Sequence, residues 1–347
     1  MERQIILAKS AGFCFGVNRA VKLVEQIAES GNKVCTLGPI IHNKQMVDQL
    51  NKKGVRIAES ENDRLSGEIM VIRSHGVTPD VLKRAEELGE IADATCPYVS
   101  NIHRIVMQAA NEGSDIIIAG DKSHPEVIGI AGWCGGKCYV VADNNELEKL
   151  LLDKPELKNK HITAVAQTTF NASEWKICQK TLKKVCTKAN IFDTICRATS
   201  LRQREASDLA SECDAMVVIG GRHSSNTLKL VEVCSEFCPN VYHIETAAEL
   251  PIEAIRNACK IGVTAGASTP AAIIKEVLII MSEMQNPIEA NAEMEEKVVE
   301  KSMDDMTFEE ALEASLNSMN SEQKVHGVVL SVNRAEIQVD IGRKQTG

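Results

Sequence analysis

Three cysteines, Cys14, Cys96 and Cys196, stand in one repeated setting. A glycine closing an apolar run lies 24 residues after each: Gly38 after VCTL, Gly120 after DIIIA and Gly220 after AMVVI. Four residues past each glycine comes a polar side chain, His42, His124 or Ser224. Cys96 and Cys196 also share the lead-in Ile-x-Asp-x-x-Cys, at Ile91 and Ile191. Units that repeat this register around one centre would bring three thiolates to a point and a ring of polar groups around it. That is the outline of a metal cluster beneath a substrate pocket. Any one of these cysteines alone would read as a small core residue; the shared register argues against that for the three.

Spacing narrows the metal. Structural zinc sites draw paired ligands from C-x-x-C knuckles, and ferredoxin-type clusters use a dense cysteine run. Neither pattern occurs at these positions. Three isolated thiolates fit an iron–sulfur cluster with one iron open to an exogenous ligand, where it acts as a Lewis acid. Each cysteine precedes a helical pattern, whose first amides favour a thiolate. Two other classes stay open on the residues alone: a metal or redox sensor, and a zinc hydrolase built on the same thiolates. Turnover separates an enzyme from the sensor, and a brown, oxygen-labile protein excludes zinc.

The ring around the thiolates is His42, His75 and His124 with Thr168, Ser224, Ser225, Asn226 and Ser268. Imidazoles, hydroxyls and an amide beside helix starts make a hydrogen-bonding oxyanion or phosphate cradle, for which a diphosphate is the natural guest. Glu126 follows His124 in SHPE. Beside a negatively charged cluster its pKa is expected to rise, making it a proton donor near neutrality, with Thr168 as relay and His124 adjoining. Its counterparts in the other units are Lys44 and Asn226, so this carboxyl is singular. His103, His161, His243 and His326 lack equivalents and read as structural or surface. Cys134 with Cys138, and Cys234 with Cys238, read as core residues; the second pair is expected at i, i+4 on one helix.

The elements that must position these groups repeat as well. After each cysteine loop comes an amphipathic helix and then a buried strand ending at the glycine. The first helix shows Val17, Ala20, Val21, Val24, Ile27 and Ala28 on one face, the second Ile102, Ile105, Val106 and Ala109, the third Leu201, Leu209 and Ala210. Later strands, EIMVI, HITAVA and KIGVTA, lead into loops carrying His75, Thr168 and Ser268. Alternating strands and helices predict parallel sheets with ligands at the strands' carboxyl ends. The expected fold is therefore α/β, three pseudo-symmetric lobes at about 9–97, 98–190 and 191–284 arranged as a cloverleaf, with RQIILA completing one sheet.

Of 347 residues, 44% are hydrophobic and 3% aromatic, enough for real cores and too few rings for base-stacking platforms. The start MERQIILAKSAGF lacks a signal-peptide pattern, so twelve cysteines point to reduced thiols in the cytoplasm and no membrane contact. Net charge is −9, and Glu289 to Glu313 carries ten acidic residues against two lysines. The remainder is nearly neutral, which argues against DNA binding. Residues 285–322 read as an acidic linker and 323–347 as two strands, Val325–Val332 and Ala335–Ile341, turned at Asn333-Arg334.

The motifs AGFCFGVNRAV, GPIIHN, RSHGV, DATCP, GDKSHPEV, QTT, DTIC, GGRHSSNT and AGASTP run in order from Ala11 to Pro270. In them the chain resembles the IspH/LytB family of 4-hydroxy-3-methylbut-2-enyl diphosphate reductases. The resemblance implies a [4Fe-4S] cluster on Cys14, Cys96 and Cys196, and reductive dehydroxylation of the allylic diphosphate to isopentenyl and dimethylallyl diphosphate. It further implies substrate ligands at His42, His75, His124, Thr168, Ser224, Ser225, Asn226 and Ser268, proton delivery from Glu126, and a ferredoxin- or flavodoxin-type donor. Residues 323–347 resemble the opening of an OB-type ribosomal RNA-binding repeat, but two strands of five cannot enclose a core.

Overall fold

The computed structural model describes residues 3–136, 138–283, 328–332 and 337–340. The chain divides into two units, Met1–Gln285 and Asn286–Gly347. In the first, the same succession is written three times. The opening strand β1 (Gln4–Leu7) is followed by α1 (Phe15–Glu29), β2 (Lys33–Leu37), α2 (Lys44–Lys52), β3 (Arg56–Ala58), β4 (Glu68–Ile72), α3 (Pro79–Leu88) and β5 (Ile91–Asp93). The second repeat comprises α4 (Pro97–Asn111), β6 (Asp115–Ala119), α5 (Pro125–Gly132), β7 (Cys138–Val141), α6 (Asn144–Asp153), β8 (His161–Ala166), α7 (Ala172–Val185) and β9 (Lys188–Ile191). The third comprises α8 (Arg197–Glu212), β10 (Ala215–Ile219), α9 (Ser225–Ser235), β11 (Val241–Ile244), α10 (Ile252–Ile255), β12 (Lys260–Ala265) and α11 (Ala271–Glu283).

Three four-stranded sheets result, ordered β3-β2-β4-β5, β7-β6-β8-β9 and β11-β10-β12-β1, and every pairing in them is parallel. Thus β1 occupies in the third sheet the edge position that β5 and β9 hold in the others, pairing Gln4 with Lys260 and Leu7 with Val263. Each such edge strand runs into a cysteine, and the helix after that cysteine enters the next repeat. A cysteine therefore sits at each crossing between lobes.

The central strands explain the apolar runs. All five residues of β6 and of β10 are buried, as expected for parallel strands covered on both faces. Each lobe has two cores, one per sheet face; the largest buried side chain, Trp175 on α7, fills one of them with Leu147, Leu157 and Leu182. Gly31 and Gly113 stop α1 and α4 at φ +81° and +79°, left-handed values that glycine adopts without strain.

One expected face differs. Helix α8 buries Thr199, Arg202, Gln203, Ala206 and Ala210, and leaves Leu201 half exposed. Its inner face turns polar because loop carbonyls lie against it: Arg202 donates to the Ser10 and Gly12 carbonyls at 2.8 Å each, and Gln203 to Phe170 at 3.1 Å. Cys134, Cys234 and Cys238 are buried in apolar clusters and Cys138 packs beside one. Cys238 lies beyond the end of α9, not on it, although its amide still reaches the Cys234 carbonyl at 2.9 Å.

Among the described residues no helix is long and apolar enough to cross a membrane. The second unit contains an antiparallel pair, β13 (Val328–Val332) and β14 (Ile337–Asp340), somewhat shorter than the expected strands. The acidic stretch at 285–322, His326 and the turn at Asn333-Arg334 lie outside the described residues.

Candidate active site

Each of the three cysteines is the N-cap of its helix, Cys14 on α1, Cys96 on α4 and Cys196 on α8. Their backbone amides tie them to the polar loops of the preceding sheets: Cys14 to the Ala267 carbonyl at 3.2 Å, Cys96 to Ser74 at 3.0 Å and Cys196 to Thr168 at 3.1 Å. Ala267 and Ser74 adjoin Ser268 and His75, so every thiol is stitched to one arm of the polar ring. All twelve residues singled out from sequence line a single, partly open cavity.

The thiols are free. Burial pushes the Cys14 thiol up, and pushes Cys96 up to about 11, with the neighbouring thiols adding to the rise. Cys14 and Cys96 would therefore not stay ionised without a cation to hold them. A sulfur-ligated metal group supplies that cation, and helix N-termini complete its setting; the donor set fits an iron–sulfur cluster. Close packing is part of the arrangement. A Cβ at Gly16 would stand 2.6 Å from the Cys96 sulfur. Gly16→Ala should force that sulfur aside at a cost of about 1–3 kcal/mol, and iron analysis after reconstitution should show fewer irons per folded chain than in the wild type.

Facing the thiols, the imidazoles of His42, His75 and His124 form a triangle with ring centroids 4.7, 5.4 and 5.7 Å apart. Burial lowers the pKa of all three, most strongly at His75, and brings His124 to about 4; the Arg73 guanidinium and the rings' mutual repulsion add to the shift. His42 Nε2, His75 Nδ1 and both amide atoms of Asn226 are buried without a hydrogen-bond partner. Unpartnered polar atoms cost about 1–3 kcal/mol each unless a ligand meets them. Ser224, the N-cap of α9, accepts from the Thr227 amide and lies 3.5 Å from the Ser268 hydroxyl. Ser225 lies 2.9 Å from Thr169 and accepts from Gln167 at 3.2 Å.

The ligand nitrogens of the three histidines lie within 4.8 Å of one another, close enough for a metal ion. The nearby Arg73 charge and the N-termini of α5 and α9 favour an anion over a dication at this place.

Glu126 sits in the first turn of α5, only 2% exposed. Its Oε1 accepts from the Thr168 amide at 2.6 Å and its Oε2 from the Thr168 hydroxyl at 2.8 Å. Burial raises its pKa to about 7. In the protein alone desolvation causes the rise and both Thr168 bonds oppose it; the charge of a neighbouring cluster, the expected origin, would add to it.

Of the remaining histidines, His103 is buried and stacks on Trp133 at 5.3 Å, His243 bonds the Gly220 carbonyl at 2.8 Å, and His161 is exposed. Sequence reasoning passed over Thr169, Gln167, Arg73 and Arg202. Arg202 lines the cavity, is 3% exposed, and keeps Nη1 unpartnered. An arginine six residues after a cysteine, on the inward side of its helix, was the available signal.

Fold and cavity together define an α/β protein of three repeated lobes that share one composite site at their junction. The chain belongs to the LytB protein family, whose model matches residues 5–282. A 4-hydroxy-3-methylbut-2-enyl diphosphate reductase of Caldanaerobacter subterraneus is 43% identical over 280 residues, covering 79% of this chain and 95% of that protein. A solved structure of (E)-4-hydroxy-3-methyl-but-2-enyl diphosphate reductase, described as the terminal enzyme of the non-mevalonate pathway, is 42% identical with a TM-score of 0.59, covering 81% of this chain and 99% of the other. The E-1-hydroxy-2-methyl-but-2-enyl-4-diphosphate reductase of Plasmodium falciparum is 29% identical with a TM-score of 0.76, covering 81% and 89%.

Proposed function

We propose that the cavity carries out reductive dehydroxylation of 4-hydroxy-3-methylbut-2-enyl diphosphate, the chain acting as 4-hydroxy-3-methylbut-2-enyl diphosphate reductase of the non-mevalonate isoprenoid pathway. The observation that supports it most is that helix-capping thiols line one cavity with a polar ring in which His42, His75 and Asn226 keep buried atoms unpartnered. Two electrons and two protons remove the allylic hydroxyl as water and leave isopentenyl or dimethylallyl diphosphate. Cys14, Cys96 and Cys196 would hold a [4Fe-4S] cluster, which supplies the electrons and, through an open iron, Lewis-acid polarisation of the hydroxyl.

The chain's own residues do the rest. The diphosphate is read as bound by His42, His75, His124, Ser224, Ser225, Asn226 and Ser268, whose buried donors gain partners on binding. Its negative charge raises the histidines' pKa values, so binding is accompanied by proton uptake. Glu126, half protonated near pH 7, donates toward the allylic oxygen through the Thr168 hydroxyl 2.8 Å away.

The test is anaerobic: reconstituted protein with a reduced dye should oxidise the dye only when the allylic diphosphate is added, and dye oxidation with no dependence on it would defeat the reading. Because the acid form of Glu126 is the donor, turnover should be highest below pH 7 and fall about tenfold per pH unit above it. A flat profile from pH 6 to 9 would remove Glu126 from that role.

Activity is assigned to residues 1–284, with lobes at 9–97, 98–190 and 191–284, an acidic linker at 285–322 and a stretch at 323–347 that resembles the opening of an OB-type repeat. A chain ending at 284 should keep kcat/KM within about twofold. A ferredoxin or flavodoxin is the expected electron donor, and the cytoplasm the expected location. RNA contact through 323–347 rests on sequence resemblance, and comparing RNA retention by the full and shortened chains tests it.

A further inference from the structure

The three cysteine helices carry a second register on their outer sides. Residues one, five and eight positions after each cysteine are exposed in all three helices: Phe15, Arg19 and Lys22 on α1; Pro97, Asn101 and Arg104 on α4; Arg197, Leu201 and Arg204 on α8. This is the i, i+4, i+7 spacing of one helical stripe. Five of the nine positions are cationic and none is acidic, in a chain whose net charge is −9. The eighth position is basic every time.

Among the described residues none of Lys22, Arg104, Arg197 or Arg204 pairs with a carboxylate. The acids close by are these: Asp93 and Asp193 are exposed in the cysteine lead-ins, Asp93 accepting from the Thr95 amide; Glu205 is taken up by the Lys9 and Ser10 amides; Glu25 and Glu29 pair with Lys53; and Asp208 stands exposed one turn beyond Arg204, at the far end of the α8 stripe. Large apolar side chains stand among the cations: Phe15 is 65% exposed, Leu201 51% and Tyr98 46%. An apolar centre with a charged surround is the make-up of a transient protein interface. Phe15, Pro97 and Arg197 are each one peptide bond from a cysteine, so the stripes start at the thiols themselves.

We propose that the outer face of α1, α4 and α8 docks an acidic one-electron carrier protein, steered by the basic stripes onto the side of the site where the thiols are rooted. The inference rests on the cluster reading above. Each docking delivers one electron, so two encounters supply the pair needed to break one allylic C–O bond, one proton leaving with the hydroxyl as water and the other ending on carbon.

The experiment reverses three charges in the full chain, Lys22→Glu, Arg104→Glu and Arg204→Glu, all outside the cavity. Two donors are compared: reduced methyl viologen and a purified acidic ferredoxin. With the dye, kcat should stay within about twofold of wild type. With ferredoxin at low salt, KM should rise about tenfold or more, and the wild-type loss of rate with added salt should flatten in the variant. An unchanged ferredoxin KM and salt dependence would overturn the docking face. So would a KM that responds to removal of the acidic stretch 289–313 but not to the three substitutions, since the basic face would then play no part in docking. Wild-type protein inactive with both donors would remove the reductase reading, and the proposal with it.

Discussion

Glu126→Gln should lower turnover about a hundred- to ten-thousand-fold, the range for loss of a positioned general acid. Iron content and the visible spectrum should stay at wild-type values. Glutamine keeps the shape: its carbonyl oxygen can still accept from the Thr168 amide, and its NH2 can donate to the Thr168 hydroxyl where the carboxylate accepted, so the loop is held. What it cannot do is release a proton near pH 7. The carboxyl can, because burial raises its pKa to about 7. The descending limb of the wild-type pH profile should also vanish in the variant. Turnover at the wild-type rate would place the proton source elsewhere.

Cys96→Ser carries the other large effect. The residue caps α4 and its sulfur lies against Gly16, so the site has no slack through which another ligand can reach in. A serine hydroxyl is a poor substitute for a thiolate toward iron, and burial opposes its ionisation further. Iron affinity should fall by more than the 10–100-fold typical of losing a ligand's outer-shell partner, and turnover with it. The expected product is a folded, colourless protein. Full iron content in Cys96→Ser would refute the ligand assignment.

Much of this site was legible in sequence because the repeats fix position. Parallel strands buried on both faces must read as unbroken apolar runs, and DIIIA and AMVVI do. Each run ends in a glycine that brings the next polar residue to the sheet's carboxyl edge, so His124 and Ser224 were identifiable without coordinates. The choice of sheet for β1 was not legible: Gln4 pairs with Lys260, a contact no local pattern encodes. Nor was the inner face of α8. Apolar periodicity pointed to Leu201, whereas carbonyls of Ser10, Gly12 and Phe170 draw Arg202 and Gln203 inward. The contribution of desolvation to the elevated Glu126 pKa was not legible either, since it depends on how closely the lobes pack around the carboxyl.

Counting electrons into products tests the central claim most directly. Anaerobically reconstituted protein would be given a one-electron dye and 4-hydroxy-3-methylbut-2-enyl diphosphate in deuterated water. Two dye equivalents should be consumed per molecule of isopentenyl or dimethylallyl diphosphate, each product carrying one solvent deuterium on carbon. Release of inorganic diphosphate without dye consumption, or dye oxidation without a five-carbon diphosphate product, would contradict the account.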